Sequence, residues 1–166
     1  MQADQVEYLF LHELSGLLNA EQQMAQLIPQ LVDESPGGAI KVAFQEHNRE
    51  TNEQIHNLKR CFELLGEEPR EVPCLTIEGF IEERELFKQH ASATLQLAYD
   101  LSASNKLENY EIAAYRGLIE KANMLAQPEV AALLEENLRE EEEMATKVKG
   151  LSRDLLEAAM DGVTLT

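Results

Sequence analysis

The sequence predicts an all-α protein: a four-helix bundle with an additional short crossover helix in its longest connection. Three observations predict it. Helix formers (Ala, Leu, Glu, Gln) dominate the 166 residues, while Pro and Gly fall mostly in clusters. Four long stretches carry inward-facing positions at alternating steps of four and three, the stripe that a helix buries against other helices. Sustained two-residue alternation, which would mark half-buried strands, is missing. The chain is long enough to bury a real core, so residues 1–166 read as one domain.

Helix one is expected from Asp4, whose side chain can cap, with Glu7 as a capping-box partner. Its seam runs Phe10, Leu14, Leu17, Glu21, Met24, Ile28, Leu31. Pro29 removes one backbone hydrogen bond and should kink the last turns without ending the helix. Residues 33–38 read as a tight stop and restart, with Ser35 as N-cap and Pro36 at the first helical position. Helix two then runs to about Leu65 and ends at Gly66, with a seam of Ile40, Phe44, His47, Thr51, Gln54, Leu58, Cys61 and Leu65. The two prolines of residues 67–75 mark an irregular connection. A shorter amphipathic helix follows from Thr76 to about His90, and loop and helix together can run back along the bundle. Glu78 and Glu82 on it read as surface charges.

Helix three is expected from about Ala91 to Leu125. Its seam is Leu97, Leu101, Ser104, Glu108, Glu111, Tyr115, Leu118, Ala122, Leu125. Pro128 restarts the chain as helix four, with Val130, Leu134, Asn137, Glu141, Met144, Val148, Leu151 and Leu155 inward. From Gly162 the tail is expected to fray.

The chemistry lies where these seams turn acidic. Glu108 and Glu111 share one helix face, with roughly 5–6 Å between Cβ atoms. Two carboxylates in a core do not both ionise cheaply without something positive between them. A divalent cation, an Arg, a shared proton or solvent entry would serve. A lone His47 on an apolar face, or a run such as Glu140 to Glu143, is ordinarily a core histidine or a solvated face; only Glu141 of that run falls on the seam. Height along the helices joins them. Glu21 lies twelve residues before the first turn and Glu50 fourteen after it; Glu111 lies fourteen before the second turn and Glu141 thirteen after it. At 1.5 Å per residue each is roughly 20 Å from its own turn. Glu21, His47, Glu50, Glu108, Glu111 and Glu141 should therefore converge at mid-height. Five carboxylates and an imidazole suit two divalent metal ions held between facing helices. Oxygen-rich ligation with one nitrogen favours iron or manganese. The competing reading is a metal-free, hydrogen-bonded core network with raised pKa values.

A net charge of −17 argues against nucleic acid and anionic membranes as partners. Most of that acidity reads as solvated surface. No apolar run approaches the roughly 18 residues of a membrane span, and the N-terminal MQADQVEYLF has no basic region before an apolar one. Cys61 and Cys74 make neither a disulfide framework nor a zinc motif, which fits reduced thiols in a cytoplasmic protein.

These residues resemble the ferritin-like YciE/YciF-type bacterial proteins, linked to stress responses and of undetermined biochemical activity. The resemblance is carried by NAEQQ around Glu21, by H-x-x-E-T-x-x-Q (His47, Glu50, Thr51, Gln54) and by E-x-x-E-I-A-x-Y from Glu108 to Tyr115. The segment from Cys74 to Gly79 and the Glu140-Glu141 pair are also similar. It implies a ferritin-like bundle with a dimetal centre, often a dimer. The wider ferritin and rubrerythrin pattern has E-x-x-H on helices two and four. Here helix two offers the reversed His47-x-x-Glu50, and Met144 stands three residues after Glu141. The missing nitrogen ligand counts against ordinary ferroxidase or peroxidase chemistry. Gln54 or water can complete the coordination, and Tyr115 can hydrogen-bond a ligand or be only a core tyrosine. Three functions follow: a dimetal centre reacting with oxygen or peroxide, metal handling or storage, and a structural or interaction protein of the stress response. A DNA-protecting role ranks last for so acidic a chain.

Overall fold

Each predicted seam turns inward in the computed structural model of this protein, which describes residues 3–161. The elements are α1 (Ala3–Glu34), α2 (Gly38–Leu65), α3 (Leu75–Lys88), α4 (Ala93–Met124) and α5 (Pro128–Met160), with no strand among the described residues. Phe10, Leu14, Ile28, Leu58, Leu101, Leu118 and Leu134 are almost wholly buried and form the core. Each such side chain contributes about 1.5–3 kcal/mol through the apolar surface it removes from water.

The ends show how local chemistry sets the boundaries. Ser35 does not cap α2: its hydroxyl donates back to the Leu31 carbonyl at 2.6 Å and so completes α1. Gly37 and Gly38, both at positive φ, make the turn, and α2 begins at Gly38, beyond Pro36. Asp4 lies inside α1 and accepts from the neighbouring Gln5 N–H, without the expected box. Helix α1 runs unbroken through Pro29. Gly66 closes α2 in the left-handed conformation, its N–H donating to the Glu63 carbonyl. Ser92 caps α4 by accepting from Leu95 N–H, and Pro128 opens α5 at its first turn. Glu78 and Glu82 are exposed, as read. The expected frayed tail from Gly162 lies outside the described residues.

Helix α1 packs on α2 and α4, and α5 on α2 and α4, closing a four-membered ring of helices. Cross-links give the directions. Lys121 near the end of α4 pairs with Glu13 near the start of α1 at 2.8 Å, so those helices are antiparallel. The connection climbs along α1: Arg70 N–H donates to Ser15, Cys74 N–H to Asn19, and Arg84 to Glu34. Helix α3 is thus the crossover, lying against α1 and α4 and returning the chain to the first turn before α4 descends.

Candidate metal centre

The bundle brings Glu21, His47, Glu108, Glu111 and Glu141 into one buried region at mid-height, each at most 6% exposed. Its heart is Glu108, Glu111 and Glu141, which each offer a carboxylate oxygen within 4.8 Å of the others. The first two come from successive turns of α4, the third from α5, where the apolar seams on either side force them inward. His47 on α2 places Nδ1 3.3 Å from Glu108 Oε1. Glu21 on α1 accepts a 2.6 Å hydrogen bond from the Tyr115 hydroxyl.

Burial dominates the electrostatics. It pushes Glu108 well above the usual carboxylate range, helped by Glu141, and does the same to Glu111, helped by Glu21. Glu21 is raised by burial and then by Glu141, with the Tyr115 bond opposing. Glu141 rises to about 7, again mainly by burial, while bonds with Glu108 and Gln54 hold it down. His47 falls to about 4 because its cation is desolvated. The imidazole of His47 in the His47–Glu108 contact is therefore neutral near pH 7, and burial also disfavours the charged form of Glu108. Both Glu108 oxygens, Glu111 Oε1 and Glu141 Oε2 are buried without a hydrogen-bond donor among the described residues. Orphaned buried acceptors of this kind are costly. A proton shared by Glu108 and Glu141 relieves one pair of them; a bound cation relieves all.

Glu21 and His47 also lie outside the three-carboxylate cluster, but of the six expected ligands Glu50 alone is not buried. It is absent from the oxygen cluster, its side chain remains 15% exposed, and it sits 3.4 Å from the exposed Arg49. Its height is right, but the step from His47 to Glu50 turns it toward the bundle's rim. Gln54 is buried, and its amide beside Glu141 and Glu140 favours the charged form of each. Tyr115 lies in a longer relay. Asn57 donates to Asn137 at 2.8 Å, Asn137 donates to Tyr115 at 3.1 Å, and Tyr115 donates to Glu21. Sequence reasoning missed Asn57 and gave Asn137 no role, since a buried amide carries no periodic signal of its own.

The NAEQQ motif also gains a physical meaning. Asn19 Oδ1 accepts from Cys74 N–H at 2.8 Å, and Gln23 donates to the Cys74 carbonyl at 3.2 Å and to Asn19 at 2.8 Å. The residues flanking Glu21 therefore pin Cys74 beside the acidic layer, where its sulfur lies 3.4 Å from the Tyr110 hydroxyl. Cys74 lines a cavity of about 450 Å³ between α1, α4 and the connection. Cys61 is buried in the core, its thiol pushed up to about 12.

Known proteins share this arrangement of helices. A family described as a domain of unknown function, DUF892, matches residues 5–161. Protein YciF of Escherichia coli K12 is 32% identical over 146 residues, which is 87% of each chain. The crystal structure of the E. coli stress protein YciF superposes with a TM-score of 0.85 at 29% identity, covering 92% of this chain and 97% of that one. YcfI of Rhodopseudomonas palustris superposes with a TM-score of 0.82 at 32% identity, over 87% of this chain and 92% of that one. With an all-helical bundle and a match along nearly its whole length, this chain belongs to the DUF892 family, that of the stress protein YciF.

Proposed function

We propose that this protein is a ferritin-like, stress-associated bundle whose acidic layer binds two divalent metal ions, iron or manganese. The observation that carries the reading is the triad Glu108, Glu111 and Glu141: three carboxylates no more than 1% exposed, with orphaned oxygens and no Lys or Arg paired to them among the described residues. Glu21 and the neutral imidazole of His47 complete an oxygen-rich donor set with one nitrogen, which suits these metals. A bound metal of this kind supplies a Lewis acid or a centre reactive toward oxygen or peroxide. The chain's own part is to exclude water, hold the carboxylates at fixed heights on α1, α4 and α5, and keep His47 on α2 unprotonated. Metal handling is the alternative use of the same layer. No described helix is long and apolar enough to cross a membrane, and we take the protein to be a cytoplasmic homodimer. Light scattering tests the dimer, and a monomer or dimer argues against a storage cage.

The deciding experiment is elemental analysis of protein purified without added metal, beside a Glu111→Gln, Glu141→Gln double variant. The expected result is about two iron or manganese atoms per wild-type chain and a loss in the variant. A folded wild type with no metal would make the layer a proton-sharing core, and the structural role in the stress response would then lead.

A further inference from the structure

We infer that the stripe Glu46–Glu50–Gln54 on α2, with Glu140 on α5, is the path by which a divalent cation reaches Glu141, and that Glu50 is a transit ligand on it. This rests on the metal reading above. Residues 46, 50 and 54 are four apart and so lie along one face of α2. Exposure falls inward along it: 37% for the Glu46 side chain, 15% for Glu50, then the buried Gln54 and Glu141. At the inner end the Gln54 amide lies beside both Glu140 on the rim and Glu141 in the core and favours their charged forms. The carbonyl oxygen of that same amide is buried with no donor. A bare acceptor beside two carboxyls is satisfied by a bound cation or by a proton on either carboxyl.

The outer end carries counter-ions that can be displaced. Lys147 stands on Glu46, and Arg49, 72% exposed, stands on Glu50. Exposed pairs of this kind are weak, so an arriving divalent ion replaces them at little cost. Glu50 also feels the negative charge of Glu46 and Glu140, which Arg49 and Lys147 oppose until they are displaced. The opposite approach, through the cavity at Cys74, is walled mainly by small and apolar side chains, and its Glu13 is taken by Lys121. Glu13 is the one carboxylate among its lining residues, against Glu46 and Glu50 along the α2 stripe and Glu140 beside it on α5.

Stopped-flow mixing of metal-free protein with cobalt(II), read by the visible ligand-field bands, tests the path. Glu50→Gln should slow loading about tenfold, the scale of focusing by a charged cleft, and leave the final amplitude unchanged. Arg49→Ala should speed loading, and added salt should slow the wild type more than Glu50→Gln. A reduced final amplitude in Glu50→Gln would make Glu50 a resident ligand and overturn the inference. So would an unchanged rate, or a slower rate in Cys74→Phe with Glu50→Gln unaffected. Absence of cobalt bands in folded wild type, checked by circular dichroism, would instead remove the metal reading itself.

Discussion

Tyr115 donates to Glu21 and accepts from Asn137 with no exposure of its own, so removing its hydroxyl takes a buried donor from Glu21 and leaves Asn137 only its bond to the Gln54 carbonyl. Tyr115→Phe should cost about 1–3 kcal/mol, read as a lower urea midpoint at unchanged slope. Cys61 makes the opposite case. Burial raises its thiol to about 12, so Cys61 should resist alkylation at about pH 8 in the native protein and react only after unfolding. Peptide mass spectrometry checks this; modification at the rate of a free thiol would mean that the core opens readily. At this scale, periodicity found Glu21, Glu108, Glu111, Tyr115 and Glu141. It did not find the latch on Cys74, because Asn19 and Gln23 meet a backbone 51–55 residues away across an irregular loop.

Among the elements, α3 depends most on a single side chain. Arg84, 2% exposed, grips Asp100 on α4 at 2.8 Å and Glu34 at the end of α1 at 2.6 Å. Arg84→Met leaves Asp100 buried without its partner, a change that typically costs about 3–5 kcal/mol; the half-exposed Glu34 adds little. Burial already raises Asp100 above its ordinary value, with Arg84 opposing. Removing Arg84 raises it further, and a raised carboxyl loses stability as pH climbs through the folded value. The deficit should therefore be larger at about pH 8 than at about pH 5 in paired melting curves. Helix number, type and most boundaries were legible because seam period and Pro or Gly breaks are local. The start of α2 was not, since Ser35 can bond forward as a cap or backward to Leu31. Nor was the outward turn of Glu50: counting from a turn gives height but not the angle around the axis.

Taken as a whole, the metal-free molecule folds around carboxyls that bind protons more tightly than they do unfolded. Glu141 sits at about 7, and Glu21, Glu108 and Glu111 also lie above the ordinary 4.5. Their contribution is complete below 4.5 and is lost as pH rises through the folded values. His47, lowered from 6.5 to about 4, contributes fully above 6.5 and loses that contribution as pH falls through its folded value. Four carboxyls outweigh one imidazole. Chelator-treated protein should melt at progressively lower temperature between about pH 5 and about pH 8, and saturating iron or manganese should reverse the trend because ligands bind deprotonated. A melting temperature that rises with pH in chelator would contradict this account.

The relay from Asn57 through Asn137 and Tyr115 to Glu21 takes one member from each of the four long helices. Apolar seams repeat every seven residues, so sliding one helix by a heptad costs the hydrophobic core little. The same slide would pull an amide or a hydroxyl out of reach and leave it buried alone. The polar layer therefore acts as a register pin, selecting one axial alignment among several that oily contacts alone would tolerate. Replacing Glu21, Asn57, Tyr115 and Asn137 together by Leu should keep the helicity while broadening the amide resonances in a proton–nitrogen spectrum. A sharp, single-state spectrum from that variant would show that the seams alone hold the alignment.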